Sequence, residues 1–258
     1  MQNNQCFVFF KGITYYKTKK LLFGDLKSAG FFLPPFAIIV PVTKKISLGV
    51  LISGSGTTLQ NFIDHIEAGK LNAKIQVVVS SKADVAGIAR AIKHNVPTAV
   101  IPYKNHKNID SFSHAITSEL EKYPIDLVTL AGFLHLYKIP EKYNGMVMNI
   151  HPGLIPAFCG HHYYGHKVHE AVINYGAKVS GCTVHFADNE YDKGPIIIQR
   201  AVPVLEDDTP DALAARVFKE ECIAYPEAIR LFADGRLKIE GRRVRILEGD
   251  SNSQCTVY

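Results

Sequence analysis

The sequence lacks the closely spaced cysteine pairs on which a disulfide framework depends. Its five cysteines are odd in number and widely separated, at Cys6, Cys159, Cys182, Cys222 and Cys255. Small secreted domains that rely on disulfides carry even numbers of cysteines at short spacings. The distribution excludes this class and indicates a reducing compartment, so we expect a cytoplasmic location.

The sequence also lacks an apolar run suited to crossing a membrane. Its stretch AGFFLPPFAIIVPV, residues 29–42, is short for a span and contains three prolines, whereas a transmembrane helix needs about 20 apolar residues. Residues 1–45 contain no arginine and only Ser28 as serine, although organellar transit peptides are rich in both. We expect residues 1–45 to form a leader, and both a disordered extension and an unusual targeting or packing segment stay open.

Residues 46–258 carry no excess of basic residues. The net charge is +5, but residues 1–45 hold seven lysines and one aspartate, which leaves 22 basic and 23 acidic residues in 46–258. Proteins that neutralise a phosphate backbone carry a basic patch on the folded domain. We therefore expect small-molecule partners, and neither nucleic acid nor a membrane surface.

From residue 46 onward, apolar runs alternate with segments of helical periodicity. Such alternation, with helices of about a dozen residues, predicts right-handed βαβ units on a parallel sheet. The predicted strands are residues 46–53, 74–80, 98–103, 125–132 and 146–151, and the predicted helices are residues 58–71, 83–95 and 111–123.

The pattern becomes β-rich after this point, with apolar runs at residues 180–187 and 196–204. A helix is predicted from Thr209, as its N-cap, to about Phe232. The stretch RLKIEGRRVRIL predicts a closing hairpin that turns at Glu240-Gly241.

These patterns together predict the fold class. We expect an α/β fold with an open, mostly parallel sheet, helices on both faces and an antiparallel C-terminal part. Residues 46–258 are expected to form a single domain.

A glycine-rich turn, SGSGTTL at residues 53–59, follows the first strand of this sheet. Glycines permit a tight turn, and the exposed amides of the following helix attract an anion such as phosphate. The turn is neither G-x-G-x-x-G nor a Walker A loop, so it does not specify a dinucleotide. A plain βα turn is the alternative, but ligands of open α/β sheets bind at this end of the strands.

Two polar side chains, Asn149 and His151, stand two residues apart at the end of the fifth strand. Side chains at this spacing point to the same face of a strand. Together they can donate hydrogen bonds to one oxygen, as an oxyanion stabiliser does, and His151 can carry a proton. A histidine that only packs is the alternative.

A carboxylate, Asp192, lies in the polar loop between the two apolar runs near the C-terminus. Asp-Lys-Gly is also a turn sequence. If Asp192 folds back against His151, its charge favours the imidazolium and is expected to raise the pKa of His151.

Histidines and a cysteine are concentrated between residues 151 and 169, which raises the question of a metal. The candidates are Cys159, His161, His162, His166 and His169. Zinc sites use close pairs such as C-x₂₋₄-C or the motif H-E-x-x-H, and neither occurs in this segment. We expect no metal. Cys159 has no evident base and is more simply a packed thiol than a nucleophile.

Four motifs occur in an order that resembles the phosphoribosylglycinamide formyltransferase family, the folate-dependent enzymes of purine synthesis. They are LISGSGTTLQ, LAGFLHLY, NIHPGLIP and GCTVHFADNEYDKGPIIIQ. The resemblance covers residues 46 to about 240 and implies a Rossmann-like sheet. It implies formyl transfer from 10-formyltetrahydrofolate, as co-substrate, to the amine of 5'-phosphoribosylglycinamide by a monomer or homodimer without a metal.

The resemblance also implies roles for individual residues. The implied catalytic residues are Asn149, His151 and Asp192. The implied ribonucleotide-binding residues are Ser55, Gly56, Thr57, Thr58 and Glu221, with the first four at the phosphate. The implied folate-binding residues are Leu134, His135, Leu136 and Tyr137, together with Asn149 and the loop from Asp188 to Asp192.

Some positions depart from the family pattern. Thr58 replaces the usual asparagine, which matters little if backbone amides bind the phosphate. His135 stands where an arginine is common, and residues 107–109 lack another arginine, so contacts with the folate tail are expected to differ. Cys222 replaces a histidine that commonly follows the position of Glu221.

Related enzymes provide the alternatives. Methionyl-tRNA formyltransferase carries an extra C-terminal barrel, for which the residues after Gly235 are too few. Formyltetrahydrofolate hydrolase carries an N-terminal regulatory domain, and the irregular leader of 45 residues is a poor substitute for such a domain. The three catalytic residues argue against a non-catalytic nucleotide-binding module. Plastid delivery stays open, because plant members of the family are made with extensions.

Overall fold

The computed structural model describes residues 8–10, 13–15 and 45–248, and these belong to two units. In the smaller unit, β1 (Val8–Phe10) pairs antiparallel with β2 (Ile13–Tyr15). This hairpin falls within the predicted leader, and the rest of the leader, apart from Lys45, lies outside the described residues. The expectations about the leader's role therefore stay predictions.

The larger unit begins with alternating strands and helices, as the sequence predicts. In chain order these are β3 (Ile46–Ile52), α1 (Thr57–Glu67), β4 (Ala73–Ser80), α2 (Ala86–Lys93), β5 (Thr98–Val100), α3 (Ile109–Leu120), β6 (Leu127–Leu130) and β7 (Val147–His151). All strands of this half run parallel. The five predicted strands and three predicted helices are confirmed, with β5 and β6 shorter than expected.

The second half of the sheet is mostly antiparallel. It contains α4 (His166–Tyr175), β8 (Val179–Phe186), β9 (Ile196–Pro203), α5 (Pro210–Ala233), β10 (Leu237–Glu240) and β11 (Arg243–Ile246). Strand β8 runs antiparallel to both β7 and β9, β10 and β11 form the predicted hairpin, and β11 pairs parallel with β9. The order across the sheet is β10-β11-β9-β8-β7-β6-β3-β4-β5.

The core lies on both faces of the sheet, because successive residues of a strand point to opposite sides. On β3, Leu48, Val50 and Ile52 belong to one cluster, which includes buried residues of α1, α4 and α5. Leu51 belongs to the other cluster, which α3 covers. The mostly parallel sheet with helices on both faces is thus confirmed.

Helix α5 ties the ends of the central strands together. It begins at the predicted N-cap, since the Thr209 hydroxyl accepts a hydrogen bond from the amide of Ala212 at 3.2 Å. Its fully buried Tyr225 donates to the carbonyls of Met148, at 2.7 Å, and Leu130, at 3.3 Å. These carbonyls lie on β7 and β6, so α5 fixes the strand ends that carry the site. In the described part of the chain, every helix is too short or too polar to cross a lipid bilayer.

Candidate active site

A cavity of about 510 Å³ opens where β3, β6 and β7 end. All of the predicted site residues except Gly56 line it: Ser55, Thr57, Thr58, Leu134, His135, Leu136, Tyr137, Asn149, His151, Asp188, Asp192 and Glu221. The position agrees with the general rule that ligands of open α/β sheets bind at the carboxyl ends of the strands.

One end of the cavity is formed by residues 55–58, here called the anion loop. Helix α1 starts within this loop, and no described side chain caps its N-terminus. The amides of its first turn are therefore left for a ligand, and the helix dipole favours an anion there. The anion loop thus presents the uncapped backbone amides that the predicted anion site needs.

Gly56 lies behind the cavity wall and gives the anion loop its shape. Its φ is +70°, and a Cβ at this position would lie 2.6 Å from the Cα of Gly87 at the start of α2. A side chain would therefore strain the backbone and collide with α2.

An arginine of α2 supports the same loop from outside. Arg90 donates through Nε to the carbonyl oxygen of Ser55 at 3.0 Å and through a terminal nitrogen to Gln60 at 3.2 Å. The guanidinium thereby connects the loop to the first turns of α1. It holds the Ser55 carbonyl on the α2 side.

The opposite wall contains Asn149, His151 and Asp192, here called the Asn-His-Asp cluster. One carboxylate oxygen of Asp192 accepts from the amide nitrogen of Asn149 at 3.2 Å, and the other lies 3.5 Å from His151 Nδ1. The backbone amide of Gly160 also donates to Asp192, at 2.9 Å. The expected approach of Asp192 to His151 is confirmed, and Asn149 and His151 project to the same side of β7.

Both nitrogens of the His151 ring face acceptors. Nε2 lies 2.9 Å from the carbonyl oxygen of Phe158, and Nδ1 faces Asp192. Phe158 and Asp192 both have positive φ angles, of 49° and 56°, which are uncommon for residues other than glycine. The two acceptors thus come from the two strained positions of the loops around the site. Only a doubly protonated ring donates to both of them.

The direction of the His151 pKa shift corrects the expectation from sequence. Burial lowers the pKa of His151, and this outweighs the raising effects of the Asp192 charge and the Phe158 carbonyl. The charge of Asp192 acts as predicted, but the ring is only 3 % exposed, and a buried cation loses its hydration. The net pKa therefore lies below 6.5 rather than above it.

Asp192 itself remains ionised. Burial raises the pKa of Asp192, but its neighbours, among them the His151 ring and the Gly160 amide, outweigh it, so the pKa lies below its usual value. The site therefore holds a carboxylate beside a histidine that is mainly neutral at pH 7 when no ligand is bound.

The wall of the cavity to which the resemblance assigns folate is built by residues 134–137. The Leu134 amide donates to the Ser53 hydroxyl at 3.0 Å, and the Leu136 amide donates to the Tyr191 hydroxyl at 3.1 Å. Tyr137 is 2 % exposed, and its hydroxyl lies 2.9 Å from that of Thr117. Tyr137 thus supports this wall mainly from within the core, and burial raises its pKa to about 12.

The substituted positions also have structural roles. His135 stacks on Tyr103, with ring centroids 4.8 Å apart, and burial lowers the pKa of His135. Within residues 107–109, Asn108 caps α3 by accepting from the Ser111 amide at 2.9 Å. The carbonyl of Cys222 accepts from Asn61 at 3.1 Å, which joins α5 to α1.

Glu221 approaches the cavity from α5, on the side of the anion loop. Burial raises the pKa of this carboxyl group to about 7. Glu221 is therefore partly protonated near neutral pH and can both donate and accept hydrogen bonds there.

The comparison with known families decides where the chain belongs. Residues 46–229, which are more than half of the chain, match the family described as Formyl transferase. The chain belongs to the formyl transferase family. The resemblance inferred from the four motifs is therefore confirmed.

Named relatives of this formyl transferase include multifunctional and shorter proteins. The trifunctional purine biosynthetic protein adenosine-3 of Bos taurus is 42% identical over 198 residues, which cover 76% of this chain and 19% of that protein. The chain thus spans about a fifth of that relative's length. The phosphoribosylglycinamide formyltransferase of Arabidopsis thaliana, described as chloroplastic, is 36% identical over 208 residues, which cover 80% of this chain and 71% of that protein.

A comparison with a solved structure supports the same family and shows the same fold. Glycinamide ribonucleotide transformylase 1 from Symbiobacterium toebii matches with a TM-score of 0.73 and 44% identity. The match covers 79% of this chain and 95% of that one. The predicted Rossmann-like α/β architecture is confirmed.

Several residues around the site were missed from sequence. His185 contacts Asn149, Gly160 contacts Asp192, and Arg90 supports the anion loop. Gly160 acts through its backbone, so no side chain signals it. His185 carried a signal, because the antiparallel pairing of β7 with β8 places it opposite Asn149.

Three of the remaining histidines, His161, His166 and His169, line the cavity. His166 is exposed and contacts Glu170 at 2.9 Å and Asp211 at 3.0 Å, whereas His169 is 4 % exposed. Among the described residues, groups of three metal-ligating side chains in a suitable arrangement do not occur. Burial raises the pKa of Cys159, which keeps this thiol protonated.

Proposed function

We propose that this formyl transferase transfers the formyl group of 10-formyltetrahydrofolate to the amine of 5'-phosphoribosylglycinamide in de novo purine (IMP) biosynthesis. The observation that carries the proposal is the Asn-His-Asp cluster, which lies on the same cavity as the anion loop. The names of the Arabidopsis and Symbiobacterium relatives support the ribonucleotide as the formyl acceptor.

The two substrates enter from opposite sides of the cluster. The ribonucleotide phosphate binds the amides of Ser55 to Thr58, and Glu221 binds the ribose side. The folate lies against residues 134–137, Asn149 and the loop from Asp188 to Asp192. The amine and the formyl carbon then meet beside His151, which gives the effective concentration that a two-substrate reaction needs.

The proton follows a path through His151. With its pKa below 6.5, the ring is neutral at pH 7, and its Nε2 hydrogen is directed at Phe158. Nδ1 is then free to accept a proton as the amine forms its bond to the formyl carbon. The resulting imidazolium lies between two acceptors, Phe158 and Asp192, which stabilise it until N10 of the folate takes the proton and the C–N10 bond breaks.

The charge that develops on the formyl oxygen also requires donors. Asn149 Nδ2 and His151 Nδ1 both adjoin the carboxylate of Asp192. An oxygen that approaches beside this carboxylate meets the N–H of Asn149 at once, and it meets that of His151 when Nδ1 has taken the proton of the amine. Donors of this kind contribute about 3 to 4 kcal/mol each to transition-state stabilisation in other acyl-transfer sites.

The remaining assignments belong to the same proposal. The donor set requires no metal, and 10-formyltetrahydrofolate acts as a co-substrate. The enzyme works on small molecules as a monomer or homodimer in the cytoplasm, with the plastid as the alternative that the chloroplastic relative suggests. Residues 46–258 act as one formyltransferase domain, with residues 1–45 as a leader.

The test is to incubate the purified protein with 10-formyltetrahydrofolate, with and without the ribonucleotide, and to follow folate absorbance. Release of tetrahydrofolate that depends on the ribonucleotide is expected. Release without it identifies a formyltetrahydrofolate hydrolase instead, and no release in either case contradicts both assignments.

A further inference from the structure

Asn149 faces a buried histidine that the sequence did not single out. His185 lies opposite Asn149 in the pairing of β7 with β8 and is 1 % exposed. Its Nε2 lies 3.1 Å from Nδ2 of Asn149. The pairing of β8 with β9 shifts in register between Val184 and His185. Such irregularities re-aim side chains near active sites.

The backbone determines which nitrogen of the His185 ring carries the hydrogen. Nδ1 lies 2.8 Å from the carbonyl oxygen of Phe186. Because a carbonyl only accepts, Nδ1 must donate. Nε2 faces the Asn149 nitrogen, which can only donate, so Nε2 is the acceptor of that contact. Nε2 also lies 3.7 Å from Asp192 Oδ1, beyond hydrogen-bond distance. His185 thus accepts one hydrogen of the Asn149 amide.

The carboxylate of Asp192 fixes the second hydrogen of the same amide. It accepts from Asn149 Nδ2 at 3.2 Å. Two acceptors, His185 and Asp192, therefore hold the side-chain nitrogen of Asn149 in place. If the amide were flipped, its oxygen would face these two acceptors and be repelled. One N–H is anchored on His185, and the N–H that faces Asp192 is the one that an incoming formyl oxygen beside this carboxylate can share.

The geometry points to His185 as a positioning residue that holds the Asn149 amide with an N–H directed at the reacting formyl oxygen. The inference rests on the proposed function for the identity of that oxygen. His185 itself does not touch the substrate. Without the His185 acceptor, only Asp192 holds the amide nitrogen, and the Asn149 side chain can rotate away from the formyl oxygen.

Kinetics of substitutions at His185 test this role. His185→Phe keeps an aromatic ring, somewhat larger than imidazole, and removes the acceptor, so kcat should fall by about 100-fold, as for loss of one oxyanion donor, while the KM for the ribonucleotide is unchanged. His185→Gln restores an acceptor near the Nε2 position and should recover most of kcat. Ser180→Ala, on the same strand and also buried, is the control and should leave kcat unchanged.

A double-mutant cycle separates positioning from general damage. If His185 acts through Asn149, His185→Phe should have no further effect on kcat in an Asn149→Ala background. Effects of the two substitutions that multiply would overturn the inference. Thermal unfolding of each variant shows whether the buried substitution has destabilised the fold.

A readout without catalysis keeps this inference distinct from the proposed function. The side-chain NH₂ resonances of Asn149, assigned by their loss in Asn149→Ala, should shift in His185→Phe and return in His185→Gln. Resonances that are the same in all three proteins with His, Phe or Gln at 185 contradict the positioning role. An inactive wild type with the expected NH₂ shifts contradicts only the proposed function.

Discussion

The two ends of the cavity are constructed differently. The anion loop consists of four consecutive residues that act through their backbone, whereas the Asn-His-Asp cluster joins two strand residues to a loop carboxylate 43 positions from Asn149. Substitutions that leave the backbone intact should therefore harm the cluster far more than the anion loop. The anion loop should instead respond to changes of backbone geometry.

The largest effect is expected at Asp192. Asp192→Asn removes the charge that stabilises the imidazolium but keeps a residue type that tolerates positive φ, so the fold should persist. We expect kcat to fall by about 10³-fold, as for loss of a general acid-base group, with little change in ribonucleotide affinity. Steady-state kinetics measure both.

Glu206→Gln, which neutralises an exposed carboxylate on another loop, is the control for this prediction and should behave like the wild type. Equal activity of Asp192→Asn and the wild type would remove Asp192 from the mechanism.

A backbone change at Gly56 should affect the other end of the cavity. Gly56→Ala should raise the KM for the ribonucleotide, because a Cβ displaces the loop from Gly87, and should lower the free energy of unfolding by more than the ~1–2 kcal/mol of a left-handed residue alone. Gly69→Ala is the matched control. Gly69 has a φ of +67°, and its Cβ would meet no described atom within 4 Å.

The free energy of unfolding and the KM for the ribonucleotide are measured for both glycine variants and compared with each other. An equal KM for the two variants would contradict the role assigned to the anion loop.

The arginine behind the anion loop offers a milder test. Arg90→Ala should raise the KM for the ribonucleotide about tenfold, in keeping with the loss of a charged hydrogen bond, and should leave kcat nearly unchanged. Arg230→Ala removes a similar contact with a backbone carbonyl, that of Lys70 at 3.3 Å. Its kinetics should match the wild type, and a loss in kcat rather than KM for Arg90→Ala would contradict the prediction.

The contrast between the anion loop and the Asn-His-Asp cluster also explains which features could be predicted from the sequence. Strands, helices and the Thr209 cap follow from local patterns, and the anion loop is visible as one continuous motif. Asn149, His151 and Asp192 could be named through the family resemblance, and Asn149 and His151 also from strand periodicity. Their contact with Asp192 depends on how a distant loop folds back.

The pKa of His151 illustrates the limit most clearly. Its charge partner was foreseen, but its burial was not, and the two have opposite effects on the pKa. His185, Gly160 and Arg90 were missed because their roles arise from strand pairing, a backbone amide and packing between helices. None of these is visible in a short stretch of sequence.

The smallest effects concern two titratable groups at opposite ends of the cavity. Burial raises the pKa of Glu221 to about 7 and lowers that of His169 to about 4. The contribution of Glu221 to stability is complete below its unfolded pKa of 4.5 and is lost as the pH rises through about 7. The contribution of His169 is complete above 6.5 and is lost as the pH falls through about 4.

Thermal unfolding from pH 4 to 8 checks both signs. Relative to Glu221→Gln, the wild type should lose stability as the pH rises, and relative to His169→Gln it should lose stability as the pH falls. Parallel pH profiles for the wild type and either variant would contradict the corresponding shift.

The most direct test of the central claim is an NMR titration of the His151 ring in the wild type and in Asp192→Asn, without ligands. The claim is that a buried neutral ring is poised beside a carboxylate that stabilises its charged form. The account predicts a pKa below 6.5 in the wild type and a still lower pKa in Asp192→Asn. A wild-type pKa above 6.5, or a pKa that the substitution leaves unchanged, would contradict it.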